Sequence, residues 1–77
     1  MPFSKEKAKR AEFVIREVKN LLQEINPDVK GAGLEDRGDY EEAFVEYSDG
    51  SIIEFDVTGT TLAELATAFI ERIECYE

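Results

Sequence analysis

The chain has 77 residues, of which 43% are hydrophobic, and this is enough for one small domain with a single core. Eighteen acidic residues against nine basic ones give a formal net charge of −9, which argues against a general nucleic-acid binder and against attraction to anionic membranes. Cys75 is the only cysteine, so an intrachain disulfide is excluded and we expect a cytoplasmic protein. No apolar run approaches about 18 residues, and residues 1–10 lack the apolar centre of a signal peptide.

The charge is unevenly distributed along the chain. Residues 1–30 carry seven basic and five acidic side chains, a net charge of +2. Residues 31–77 carry two basic and thirteen acidic side chains, a net charge of −11. The second half of the chain is therefore predicted to carry a negative surface, which favours a basic partner.

A first helix is predicted over residues 5–25, with Ser4 as its N-cap. We expect it to end before Asn26-Pro27, because a residue that precedes proline avoids helical angles. Phe13 lies outside the apolar stripe, either as a single exposed aromatic or as a contact anchor ringed by charge. The predicted stripe comprises Ala11, Val14, Ile15, Val18, Leu21, Leu22 and Ile25, with Phe3 leaning onto its start.

The connector over residues 27–39 is open to two interpretations. Thirteen residues of pure loop would be long for a compact domain, so a strand is predicted over residues 30–36, with a turn at Arg37-Gly38. Gly31 and Gly33 weaken a strand, and a flexible loop is the alternative.

A β-hairpin is predicted over residues 40–58. In a three-residue loop, Ser48-Asp49 form a type I turn and Gly50 is the left-handed bulge residue. A two-residue loop at Asp49-Gly50 would instead mix apolar and charged side chains on both faces, so the three-residue loop is predicted. Its register puts a single apolar set on one face: Ala43, Val45, Tyr47, Ile53, Phe55 and Val57.

The opposite face of the hairpin carries four carboxylates and two apolar side chains. An apolar centre with a charged rim is typical of a protein interface. The alternative is that its two apolar residues form a cross-strand pair that only stabilises the hairpin. The face comprises Glu42, Phe44, Glu46, Ile52, Glu54 and Asp56.

A second helix is predicted over residues 62–76, and Thr61-Leu62-Ala63-Glu64 has the pattern of a capping box at its start. Its apolar stripe comprises Leu62, Leu65, Ala66, Phe69, Ile70, Ile73 and Tyr76. The sequence thus predicts one α+β domain over residues 1–77. Its order is α-β-β-β-α, or α-β-β-α if the connector is a loop. Both helices are expected on one face of an antiparallel two- or three-stranded sheet, as two layers.

The order α-β-β-β-α and the chain length resemble a double-stranded-RNA-binding domain. Such domains contact RNA phosphates largely through a basic N-terminus of the last helix. The corresponding residues 60–64 read Thr-Thr-Leu-Ala-Glu and contain no lysine or arginine, so phosphate binding there would be repulsive. The resemblance therefore covers the order of elements only, and no direct nucleic-acid contact is predicted.

Most catalytic chemistry is excluded by residue type. Histidine is absent, so the commonest general base and neutral metal ligand is missing, and no Ser-His or Cys-His nucleophile can form. Gly31-Ala32-Gly33 lacks the length and the Lys-Ser/Thr ending of a phosphate loop. We predict no enzyme, no cofactor, no metal site and no small-molecule substrate. One acidic cluster lacks the spacing of a calcium loop and is interpreted as a charged turn: Glu35, Asp36, Asp39, Glu41 and Glu42.

We predict a small acidic, non-catalytic protein-interaction module that binds through the outer face of its sheet. The expected partner is another protein with a basic surface, or a second copy in a homodimer, and not a membrane. The alternative is a nucleic-acid-mimicking inhibitor, of phage or mobile-element type, that blocks a basic nucleic-acid-binding protein with spaced carboxylates. The predicted interaction residues are Phe44, Ile52, Glu42, Glu46, Glu54, Asp56 and Phe13.

Overall fold

The computed structural model describes residues 5–75, without the side chains of Lys5 and Glu6. It shows an α+β fold with two helices and a three-stranded antiparallel sheet. Ser4, Phe3 and Tyr76, which the sequence assigned to a cap and to apolar contacts, lie outside the described residues. The elements are α1 (Lys5–Phe13), a π-helical segment (Val14–Val18), α2 (Lys19–Ile25), β1 (Val29–Asp36), β2 (Glu41–Tyr47), β3 (Ile52–Asp56) and α3 (Leu62–Cys75).

Residues 5–25 form one continuous helix, because Phe13, Val18 and Lys19 all have right-handed helical backbone angles at the two junctions. The helix ends at Ile25, and Asn26 is extended with φ −140° and ψ 103°. The predicted end before Pro27 is confirmed, since the residue before a proline is driven out of the helical region.

The π-helical segment changes which side chains of this helix are buried. The amide of Lys19 donates to the carbonyl of Val14, five residues earlier, so this turn holds one residue more than an α-helical turn. The predicted stripe is therefore wrong in part. Its buried members are Val14, Val18 and Leu22, whereas Ile15, Leu21 and Ile25 are exposed and Phe13 packs half-buried against the core.

The sheet has the strand order β1-β2-β3, and both neighbouring pairs are antiparallel. The strand predicted in the connector is confirmed as β1, so the flexible-loop alternative is wrong. A bulge interrupts the β1 register between Val29 and Gly31. The turn into β2 closes with the amide of Arg37 donating to the carbonyl of Tyr40 at 2.9 Å.

The loop between β2 and β3 has the predicted three-residue geometry. The amide of Gly50 donates to the carbonyl of Tyr47, and the amide of Tyr47 donates to the carbonyl of Ser51, both at 2.9 Å. Gly50 has φ +93°, the left-handed conformation that the bulge position requires. The register that follows opposes Val45 to Ile53 and is confirmed.

The hydrophobic core joins the inner face of the sheet to the helices. The ring of Phe55 in β3 meets that of Phe69 in α3 edge-to-face, with centroids 5.1 Å apart and planes at 76°. The inward residues predicted for the hairpin are buried, except Ile53, which is partly buried. The core comprises Val14, Val18, Leu22, Val29, Ala32, Ala43, Val45, Tyr47, Phe55, Val57, Leu65, Phe69 and Ile73.

The start of α3 is the predicted capping box. The amide of Thr61 donates to Glu64 Oε1 at 2.9 Å, and the amide of Glu64 donates to Thr61 Oγ1 at 3.1 Å. The predicted stripe is confirmed within the described residues, with Leu65, Phe69 and Ile73 buried. Over residues 5–75, no helix has the length and apolar character needed to cross a membrane.

Candidate functional site

The six hairpin residues predicted to share the outer face do so. The register opposes Glu42 to Asp56, Phe44 to Glu54, and Glu46 to Ile52. Paired residues of antiparallel strands project to the same face, and the intervening residues of β2 and β3 are the core residues of the opposite face. The side chains of this face lie across β2 and β3 as two adjacent rows.

Phe44 leans away from the other apolar residue of this face. A Cβ placed on Gly33 would lie 2.7 Å from Cζ and 2.8 Å from Cε2 of Phe44, so the ring covers the backbone of Gly33 in β1. Ile52 lies in β3, on the other side of β2, and 55% of it is exposed. Phe44 and Ile52 are therefore not direct cross-strand partners, and Ile52 alone offers a largely open apolar contact.

The carboxylates on the β1 side of this face are paired with cations of the chain. Arg37 Nη2 lies 2.6 Å from Glu35 Oε1 and 3.1 Å from Glu42 Oε1. The hydrogen bond that Arg37 donates to Glu42, together with the charge of Glu35, raises the pKa of Arg37. Lys30 Nζ lies 3.9 Å from Glu46 Oε2, a longer contact made by a more exposed cation than Arg37. Two cations thus serve three carboxylates, and each carboxylate on this side has a cation within 4.0 Å.

The carboxylates on the β3 side are not neutralised in this way. Glu54 and Asp56 are exposed, and among the described residues no lysine or arginine lies within 4.0 Å of either carboxylate. Asp56 Oδ1 accepts the hydroxyl of Thr58 at 2.6 Å and its amide at 2.8 Å. These two hydrogen bonds lower the pKa of Asp56, so its carboxylate is anionic at neutral pH.

An ion pair that the sequence reasoning missed lies at one end of the sheet. Glu41 is 8% exposed, and its Oε1 lies 2.6 Å from Nη2 of Arg10 in α1. The guanidinium of Arg10 also donates to the carbonyl of Thr60, to its hydroxyl at 2.9 Å and to the carbonyl of Val57 at 3.3 Å. Arg10 thereby joins α1 to β2 and to the connection between β3 and α3.

Glu41 had been assigned to a charged turn, and that interpretation is wrong for this residue. The signal that could have placed it is the alternation of β2, because Glu41 is two residues before Ala43 and hence on the inner face. A cleft of about 320 Å³ opens beside the ion pair. Both cations that line this cleft are in ion pairs, Arg10 with Glu41 and Lys7 with Asp36 at 2.8 Å.

Three further members of the predicted acidic cluster, Glu35, Asp36 and Glu42, are also paired with cations. Lys7 and the amide of Gly38 bond the carboxylate of Asp36 and lower its pKa. Glu35 and Glu42 share Arg37. Within residues 5–75, no group of three or more side chains is placed to hold a metal ion. Cys75 is an exposed free thiol.

Phe13 is not brought together with the other predicted interaction residues. It lines a groove of about 190 Å³ between the first helix and Leu62 at the start of α3. The other lining residues are Lys9, Glu12, Arg16 and Glu17, two of each sign. Phe13 is therefore half-buried against the core, and the charge around it is balanced.

No protein-family model, no curated protein and no solved structure matches this chain.

Proposed function

We propose that this chain is a small acidic, non-catalytic protein-interaction module that docks through the β3 half of its outer sheet face. We name this area the β3 surface and define it as Ile52, Glu54 and Asp56. The partner is a protein with basic side chains around an apolar contact. Docking there requires the outer face to be uncovered, and we infer a two-layer arrangement with both helices on the inner face. The contact of Phe55 with Phe69 supports this arrangement.

The observation that carries the proposal is the difference in charge compensation between the two edges of the sheet. Each carboxylate on the β1 side of the outer face has a cation within 4.0 Å, whereas Glu54 and Asp56 beside β3 have none in the described residues. An exposed isoleucine next to uncompensated carboxylates matches an interface with an apolar contact and complementary charge.

The proposed docking surface is centred on Ile52 and does not include Phe44. The ring of Phe44 is half-buried over Gly33 and stabilises the sheet, so it contributes less to a contact with a partner. Ile52 has 55% of its surface exposed and gains more from burial in an interface.

Charge reversal at two matched positions tests the proposal. Glu54→Lys and Glu74→Lys change the net charge equally, and both residues are exposed, but Glu74 lies on α3. Proteins captured from a lysate of the source cells should be retained by Glu74→Lys and lost with Glu54→Lys. For a purified partner, we expect the affinity to fall about tenfold or more with Glu54→Lys alone. Equal binding by both variants would refute the β3 surface.

The same binding assay separates the proposal from a nucleic-acid mimic. A mimic binds its partner through many charges, so its affinity should fall steeply with ionic strength, and DNA or RNA should compete with it. For docking around Ile52, the affinity should fall only slightly with ionic strength, because only two carboxylates take part. Measurement of molecular mass over a range of concentrations separates the homodimer, because a chain that stays monomeric at about 1 mM does not dimerise with useful affinity.

A further inference from the structure

The open edge of β3 presents unpaired backbone groups. The amide of Tyr47 donates to the carbonyl of Ser51, and the amide of Val57 donates to the carbonyl of Glu41. These bonds show that the backbone N–H and C=O groups of the odd-numbered residues from 51 to 57 face β2. Along an edge strand, backbone groups point alternately toward the neighbouring strand and away from it. The N–H and C=O groups of Ile52, Glu54 and Asp56 therefore point away from β2. The strand order places no strand beyond them in the described chain.

The other edge of the sheet is obstructed at the start of β1, over residues 29–31. The side-chain amide of Gln23 donates to the carbonyl of Val29 at 3.2 Å, and a bulge follows before Gly31. Lys30 projects into solvent beside the bulge. Bulges and edge lysines are features that prevent strand pairing in natural sheets. β3 contains no proline, no lysine and no bulge, so it is the edge that is able to accept another strand.

We propose that the partner binds by strand addition, with an extended basic segment pairing with β3 as a fourth, antiparallel strand. This inference rests on the proposed function and specifies its binding mode. Basic side chains at alternate positions of the segment would face Glu54 and Asp56 on the outer side. Apolar side chains at the intervening positions would pack beside Ile53, which is partly buried at this edge of the core.

Charge makes a second copy of the chain a poor occupant of this edge. Antiparallel pairing of two β3 strands centred on Glu54 would oppose the two Glu54 carboxylates directly, and like charges directly opposite each other destabilise a strand pair. Each copy would also bring a net charge of −9. A basic segment relieves both costs, so the acidic side chains select against self-pairing and for a basic strand.

The probe is a fluorescein-labelled peptide of alternating lysine and valine, about seven residues long, a typical strand length. In an added antiparallel strand, the residues whose side chains share the outer face with Glu54 also point their N–H groups at β3. N-methylation of the lysine amides should therefore weaken binding about tenfold or more, because it removes those donors and inserts methyl groups into the ladder. N-methylation of the valine amides should change the affinity little, because those amides face solvent.

Fluorescence anisotropy with the unmethylated peptide and its two methylated forms gives the outcome, with Glu54→Lys as the check on the site. If only methylation of the lysine amides abolishes peptide binding, the strand is added antiparallel, as proposed. If only methylation of the valine amides abolishes binding, the strand is added parallel and the proposed orientation is wrong. Equal effects of the two methylations, or no binding of the unmethylated peptide at about 1 mM, would overturn strand addition. If the two methylated peptides bind equally and Glu54→Lys weakens both, the β3 surface stands and only the strand mode fails. If Glu54→Lys does not change the affinity of the peptides, the β3 surface is refuted as well.

Discussion

The ring of Phe44 occupies the space that a side chain on Gly33 would need, at 2.7 Å from the position of a Cβ. Gly33 does not have positive φ, so an alanine is compatible with its backbone and only the ring stands in the way. The side chain that is tolerated at position 33 therefore depends on the side chain at position 44, and the reverse, although the two residues lie on different strands.

A double-mutant cycle tests this relationship. Gly33→Ala alone should lower the free energy of unfolding by about 1 kcal/mol, because the methyl group displaces the ring into solvent. In a Phe44→Ala background, the same change should raise it by about 0.5 kcal/mol, since alanine restricts the unfolded chain more than glycine. Urea unfolding of the four proteins gives the coupling. The same sign in both backgrounds would show that the ring does not hold this position.

The two phenylalanines of the hairpin should differ in their effect on stability. Phe55 is buried and contacts the ring of Phe69, with the guanidinium carbon of Arg72 5.2 Å from its centroid. Phe55→Ala should cost about 3 to 5 kcal/mol, which is enough to unfold a domain of this size. Phe44→Ala should cost about 1 kcal/mol and leave the protein folded. Thermal melting monitored by circular dichroism distinguishes the two, and a reversed order would contradict the register.

The ion pair of Arg10 with Glu41 should contribute far more to stability than the pair of Lys7 with Asp36. Arg10→Leu leaves the mostly buried Glu41 carboxylate without its cation, and we expect a loss of about 2 to 3 kcal/mol. Lys7→Leu is the matched control. It breaks a pair in which both side chains are about two-fifths exposed, and should change the free energy of unfolding little.

A double substitution separates the burial of an unpaired charge from the loss of the other hydrogen bonds of Arg10. Replacing both partners, as Arg10→Leu with Glu41→Leu, should recover most of the lost stability, because no unpaired charge remains. Urea unfolding at neutral pH measures all three variants. If the double variant is no more stable than Arg10→Leu, the contribution of Arg10 comes from its bonds to Thr60 and Val57 instead.

The turn aspartates make the stability of the protein fall in acid. Hydrogen bonds from Ser51 lower the pKa of Asp49, and those from Thr58 lower the pKa of Asp56, in each case from an ordinary value of 3.8. A carboxyl whose pKa is lower in the folded state takes up protons more readily when unfolded. Its stabilising contribution is therefore complete above the ordinary value and is lost as the pH falls through the lower, folded value.

We accordingly expect the urea midpoint to be level between about pH 5 and pH 7 and to fall below about pH 4. Asp49→Asn and Asp56→Asn keep the side-chain shape without the ionisation, so each should reduce the steepness of the fall. Asp39→Asn, at an exposed position of the other turn, is the control. A pH profile that the first two substitutions leave unchanged would contradict this origin of the acid sensitivity.

The sequence by itself determined the features that depend on local periodicity and local backbone chemistry. The alternation of β2 and β3 and the positive φ that Gly50 supplies fixed the hairpin register and hence the two faces of the sheet. The capping box of Thr61 and Glu64 fixed the start of α3. In each case, strand or helix geometry sets the relation between residues a few positions apart, so the pattern is readable along the chain.

Only the tertiary structure decided the pairings between distant residues and the face that the first helix buries. Arg10 and Glu41 are 31 positions apart, and nothing local to either residue specifies their contact. The π turn that exposes Ile15 and half-buries Phe13 lies against β1, and the helical period alone does not predict it. The composition also did not show that the cations lie beside β1 and leave Glu54 and Asp56 without a partner of opposite charge. A net charge does not record which charges are in contact.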